Sequence, residues 1–321
     1  MMLKLDRDQI AAELAALDAL LDSLPANDHL GRIGFMARRK EISDKFASLA
    51  KRSDHRASLA LYFGGDPVIG SLGIEAGFST NALGSFQDLL SKVWGEAETG
   101  GLSPAGPVKD KPESQLHITS LVHGSFGFLL EELDEHGEPL FETSLKKAAD
   151  QIAGYMAKFA GEDEQEFTET IEQMDPRVFL SLREFFGYIY RGKATFRLVE
   201  GDRDERFDRP SVERAWHRAE ESSVEEKRIR VEGRLLGVIP VRRRFEFERD
   251  GAHDVIEGAV GEKFGQSYLE RISTEQFAGR RWAALLHRKV VSRVRRQPSV
   301  IYTLLELEEL DPAPADKPHK Q

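Results

Sequence analysis

The sequence predicts an α+β protein assembled from modules: an N-terminal helical hairpin, a ββαββ sheet-and-helix unit, a mainly helical middle and a C-terminal five-stranded small β-barrel, OB-like or SH3-like. Three observations lead there. Apolar residues recur at helical spacing in residues 8–49 and again after 144, whereas they alternate with period two in 58–63 and in segments beyond 229. The 321 residues also exceed the roughly 100–200 that one domain usually holds. The expected boundaries are 1–56, 57–142, 143–224 and 225–310, with 311–321 as a disordered tail.

In residues 8–24, Ile10, Leu14, Leu17, Leu20, Leu21 and Leu24 share a helix face, and Pro25 follows where a helix stops. Leu30, Ile33, Met36, Ile42, Phe46 and Leu49 define a second helix, with Asn27 or Asp28 as its cap. The two fold back as a hairpin. Arg38, Arg39 and Lys40 lie within it, read as a solvated face before a binding site.

Leu59, Leu61 and Phe63 alternate with Ala60 and Tyr62, and Gly64-Gly65-Asp66-Pro67 turns the chain toward Val68-Ile69. Ser79 or Thr80 is the expected cap of a helix bearing Leu83, Phe86, Leu90, Val93 and Trp94, with Gly95 at its exit. Residues 100–114 read as a surface loop with almost nothing to bury. Strands at 115–122 and 125–133 complete the ββαββ unit, expected as a four-stranded sheet under one helix.

Three helical patterns follow from 144, the last introduced by Asp175-Pro176. Residues 193–199 read as a strand, the charged stretch 201–209 as a solvated loop and 211–221 as a capped helix. Strands at 229–239, 243–248 and 254–260, a helix at 264–276, and strands at 282–291 and 300–307 then give three strands, a helix and two strands. That order resembles an OB-type five-stranded barrel, in topology only.

Composition narrows the function classes. Apolar residues make up 40% of the chain and charged residues 31%, a mixture that supports folded cores rather than wholesale disorder. A formal charge of -10 argues against coating nucleic acid or anionic membrane with the whole surface, so only a local basic face would do so. The chain has no cysteine, which excludes thiol catalysis, disulfides and thiolate metal sites and fits a reducing compartment. No stretch approaches the ~18 apolar residues of a membrane span, and the N-terminus is amphipathic rather than a leader peptide. The expectation is a cytoplasmic protein of bacterial type that meets no membrane and carries no cofactor.

Few motifs carry chemistry. Residues 64–73 are glycine-rich but lack the spacing of a phosphate loop or dinucleotide fingerprint, so turn and bulge glycines are the better reading. In His123-Gly124-Ser125-Phe126-Gly127, a glycine directly precedes the serine and strands are expected on both sides, unlike a nucleophile elbow. His117 and His123 would stand about 20 Å apart on one strand, too far to share a metal. The acidic run 162–175 spreads its carboxylates around a helix instead of converging them on a cation.

The basic stretch is the strongest candidate site. Arg280, Arg281, Arg288, Lys289, Arg293, Arg295 and Arg296, with Arg242 and Arg244 nearby on the expected barrel, would contact phosphates by local charge. Phe245, Phe247 and Trp282 are available as stacking platforms, but alternation sets Phe245 and Phe247 opposite Arg244. The acidic run is an alternative partner for these cations.

The leading expectation is a non-enzymatic binding or assembly protein acting through protein–protein contacts, with a protein partner or self-association. The hairpin, apolar on one side, would equally serve as a homodimer seam. A nucleic-acid-binding protein using the Arg-rich face is the alternative, and a hydrolase around Ser125 the second alternative.

Overall fold

A computed structural model describes residues 3–25, 28–49, 55–103, 106–108, 111–122, 126–133, 137, 139–252, 254–274 and 280–310. The protein is mixed α+β, and the chain divides into two compact units, Met1–Glu220 and Glu221–Gln321. The 311–321 tail expected to be disordered lies outside the described residues.

The first unit begins with α1 (Leu3–Ser23) and α2 (His29–Leu49), paired as a hairpin. Asp28 caps α2, its Oδ1 accepting from the Gly31 N–H at 2.9 Å. The other proposed cap, Asn27, lies outside the described residues. A sheet follows, built on β1 (Ser58–Gly65). Val68–Ile69 (β2) and Gly73–Ile74 (β3) pair only with each other, so the expected four-stranded sheet is corrected. The main sheet has five strands, in the order β4 (His117–Val122), β5 (Phe126–Glu131), β1, β6 (Ala194–Glu200) and β7 (Arg203–Phe207), every neighbour antiparallel.

β7 occupies the stretch expected to be a solvated loop. It forms because Phe207 stacks on Phe196 at 4.2 Å, while Arg197 forks onto both carboxylate oxygens of Asp204 at 2.6 Å. Strand alternation splits the sheet into two faces. Leu59, Leu61, Phe63, Phe196 and Leu198 point to a helical layer; Ala60, Tyr62 and Val199 form a smaller cluster on the opposite face. There Arg197 lies over the Tyr62 ring at 5.2 Å.

The helical layer comprises α3 (Ala76–Thr99), α4 (Ser144–Ala160), α5 (Glu164–Gln173), α6 (Pro176–Arg191) and α7 (Arg209–Glu220). Asp163 and Asp175 cap α5 and α6, and Pro176 takes the first turn of α6. Phe159, Phe167, Phe179, Phe185 and Phe186 are fully buried; Phe159 meets Phe167, and Phe185 meets Phe186, edge to face, while Phe159 stacks on Phe186. Two details of α3 correct the sequence reading. It starts at Ala76 after Glu75 with no side-chain cap, and it runs through Gly95 to a left-handed Gly100 (φ 68°). Gly95 is small because Val108 packs against it, which also makes part of the 100–114 loop a buried contact.

One buried ion pair ties this layer to the sheet: Lys146 of α4 meets Glu200 at the end of β6. Burial outweighs the lysine and pushes the Glu200 carboxyl above its ordinary value.

The second unit is a ring of five strands: β8 (Ser222–Ile239), β9 (Arg244–Arg249), β10 (Val255–Val260), β11 (Arg281–Arg293) and β12 (Ser299–Glu309). β9 pairs with β8 and β10, β11 pairs with β8 and β12, and a parallel β10–β12 contact shuts the ring. Between β10 and β11 runs α8 (Gln266–Thr274), whose Leu269 and Ile272 enter the ring core with Leu235, Phe245, Phe247, Trp282, Leu286 and Leu304. Gly233 and Gly258 admit the close approach this needs, since a Cβ there would overlap the carbonyl oxygens of Glu248 and Tyr302.

Candidate interaction surfaces

The ring's register determines where the basic residues go. Arg242 and Arg244 are exposed in and beside the β8–β9 turn, while Arg295 and Arg296 are exposed in the β11–β12 turn. β11 runs antiparallel to β8 with Arg293 opposite Ser222, so the two groups lie at opposite ends of the 18-residue β8. Arg288 and Lys289, adjacent on β11, take opposite faces; Lys289 is buried, 4.0 Å from Glu226. Arg280 pairs with Glu309 at 2.8 Å and Arg281 with Asp250 at 2.5 Å. Arg280, Arg281 and Lys289 thus have acidic neighbours, and the two groups of turn arginines stand at opposite ends of β8.

Phe245, Phe247 and Trp282 belong to the core, leaving Arg244, Glu246 and Glu248 on the outer side of β9. Within the first unit, the acidic run has its own cations: Arg218 reaches Glu164 at 2.9 Å and Lys158 reaches Glu166 at 4.0 Å. Among the described residues, no three His, Asp or Glu side chains converge to hold a metal ion. His123, Gly124 and Ser125 lie outside the described residues.

A surface of another kind occurs on the helical hairpin. Ile10, Leu17 and Ile42 are buried between α1 and α2, with Leu14, Phe35 and Phe46 packed around them. Leu30, Ile33 and Met36, which the periodicity assigned to the same buried stripe as Ile42, are 85%, 64% and 60% exposed. The reason is angular: at 100° per residue, Leu30 and Ile33 sit well over 90° away from Ile42 around α2. Beside Leu30 opens an apolar groove of about 630 Å³. Ala16, Gly31 and Gly34 keep it open, Leu20, Leu30 and Phe35 wall it, and Glu13 and Arg38 stand at its polar margin.

Charge fixes the hairpin's pairing. α1 carries five carboxylates against two cations, and α2 five cations against two carboxylates. Arg38 bridges to Glu13 at 3.0 Å and to Glu41 at 3.1 Å, and Arg39 donates to Asp18 at 2.5 Å. These contacts raise both guanidinium pKa values, and the hydrogen bond from Arg39 holds the Asp18 carboxyl below the usual range.

No protein-family model, curated protein or solved structure matches the chain. No described helix is long and apolar enough to cross a membrane.

Of the groove residues, Leu20 was placed on the apolar face of the first helix, whereas Gly31, Gly34 and Phe35 were not sequence candidates. Their signal was present in composition, since two glycines within one helical turn of α2 weaken the helix by roughly 1 kcal/mol each and leave an open strip beside Leu30.

Proposed function

We propose that this is a non-enzymatic binding or assembly protein of the cytoplasm that acts through protein–protein contacts, with the helical hairpin as its contact element. The observation that carries this reading is the apolar groove walled by exposed Leu20 and Leu30. Contiguous apolar surface with a polar margin is a mark of association sites. The cysteine-free, acidic composition supports the reducing compartment.

A photo-crosslinking residue in place of Leu30, in the full chain inside cells, tests the reading. Covalent protein adducts are expected there and not from the exposed position Glu169 on α5. Equal or absent crosslinking at both positions would remove the hairpin from this role.

A second reading concerns the ring. Its cyclic order β8-β9-β10-β12-β11, with a parallel β10–β12 pair and α8 between the third and fourth strands, supports an OB-type barrel. OB domains use the strand 1–2 and 4–5 turns to contact oligonucleotides. Here those turns carry Arg242 with Arg244, and Arg295 with Arg296. Fluorescence anisotropy against single-stranded oligonucleotides at low salt should then show binding that falls steeply as salt rises. No binding at low salt rejects this role.

A further inference from the structure

We infer that single-stranded nucleic acid binds the inner side of the ring where the strands run past the packed core, with Tyr302 stacking on a base and Arg288 and Lys227 holding the flanking phosphates. The inference rests on the second reading above and gives it a seat.

Register builds that seat. Leu286 and Leu304 pair across β11 and β12 inside the ring core, and Ile229, opposite Leu286 on β8, packs against them. Alternation returns the same face two residues further on. There Arg288 stands opposite both Tyr302 and Lys227, in one row across three strands. At ~4.8 Å between neighbouring strands the row spans about 10 Å. β9 pairs with β8 only from Gly233 to Ile239, so this row lies on a three-stranded extension of the ring. Lys227 is exposed, Arg288 and Tyr302 are half-buried, and Val300 in the next row is exposed. The other end of the ring is occupied: α8 enters between the end of β10 and the start of β11, and Arg243 of the β8–β9 turn donates to the carbonyl oxygens of Gly261 and Phe264 at 2.6 and 3.1 Å.

Charge selects an anion. The unit Glu221–Gln321 carries +2 in a chain that carries -10, and no carboxylate occurs between Glu275 and Glu306, a stretch with seven Arg and Lys. Among the described residues, neither Lys227 nor Arg288 has a hydrogen-bond or ion-pair partner. A half-buried guanidinium left so is costly until an anion reaches it. Glu225 shares the face but stands one row further out, opposite Val290. Beyond it the β11–β12 turn presents exposed Arg295, so a strand leaving Tyr302 meets a further cation along β11.

Tyr302 selects among anions. An aromatic ring in one row with two cations suits a base and its phosphates. On the concave side of a ring, that base must be free of a duplex partner.

Fluorescence anisotropy with the full chain and labelled oligothymidine, alone or annealed to its complement, tests this. Arg288→Gln should weaken binding about tenfold and lower the salt slope by about one. Tyr302→Leu should weaken it at least about fivefold, whereas Tyr302→Phe, which keeps the ring, stays within about twofold. Arg230→Gln makes the same charge change on the outer side of β8, where Arg230 pairs with Glu308, and should also stay within about twofold. Glu225→Lys should tighten binding about threefold, a gain that no loss of folding can imitate. Binding at low salt that none of the row variants alters keeps the oligonucleotide reading and overturns the seat. Absence of binding at low salt overturns both. Equal affinity for the duplex, or for polyglutamate of matched charge, removes base stacking and overturns the inference as well.

Discussion

Helices α2 and α6 of the first unit both carry apolar residues at helical spacing, but α6 gathers them on one buried face while α2 spreads them over two sides. The 16-residue α6 fully buries Val178, Phe179, Leu182, Phe185, Phe186 and Ile189 between its neighbours and the sheet. The 21-residue α2 fully buries Ile42 and leaves Leu30, Ile33 and Met36 facing outward. The lesson is that an apolar stripe records a demand for cover without saying who supplies it. For α6 the chain itself does; on α2 the residues turned away from Ile42 are left exposed.

Four measurements probe this difference, all on urea unfolding followed by Trp94 and Trp216 in a Trp282→Phe background. The largest effect belongs to the sheet-covering layer. Phe186→Ala removes a ring that meets Phe159, Phe185, Phe196 and Phe207 and should cost about 4 kcal/mol. A loss below about 1 kcal/mol would mean that this layer is no better packed than the hairpin.

Next comes Lys146→Met, which strands the Glu200 carboxylate in the interior and should cost about 3 kcal/mol near neutral pH. The double variant Lys146→Met/Glu200→Leu should regain most of it, because no charge is then left buried. Since the folded Glu200 carboxyl titrates above its unfolded value, stability from this group is greatest in acid and declines as pH rises from the unfolded to the folded pKa. Glu200→Gln should abolish that slope.

Asp204 probes the junction between the two kinds of helix. It accepts from Arg197 on the sheet and pairs with Lys4 of α1 at 3.5 Å. Asp204→Asn should cost about 1.5 kcal/mol. Arg197 lowers the Asp204 pKa, so this contribution is complete above the unfolded value of about 3.9 and disappears as pH falls through the lower folded value. The variant's deficit should therefore be constant at neutral pH and vanish in strong acid.

The smallest effect is expected where α2 faces outward. Ile33→Asp should change stability by no more than about 0.5 kcal/mol, as at other surface sites. A loss of several kcal/mol would show that Ile33 is covered within its own chain.

Much of this organisation was legible in the residues, for identifiable reasons. Asp175-Pro176 announced α6 because proline supplies the φ of a first turn and aspartate caps it. β7 was not legible: Arg203-Asp204-Glu205-Arg206-Phe207 has no apolar alternation, as suits an edge strand held by one stacked ring and by ion pairs of Asp204 and Arg203. Gly95 misled because a glycine that admits Val108 looks like one that ends a helix. The basic stretch looked like one face because neighbours in sequence count as neighbours in space until strand pairing is known. Register then puts Arg242 and Arg295 at opposite ends of β8.

The parallel contact that shuts the ring also governs its assembly in time. β12 borders both β11 and β10, so the C-terminal unit has no complete circuit until its final strand has been synthesised. The sheet of the first unit, whose last strand is β7, is complete about one hundred residues earlier, or some 5–20 s at ordinary ribosomal rates. During that interval two unpaired edges of the nascent ring are exposed together, and a chain arrested before Ser299 would keep both.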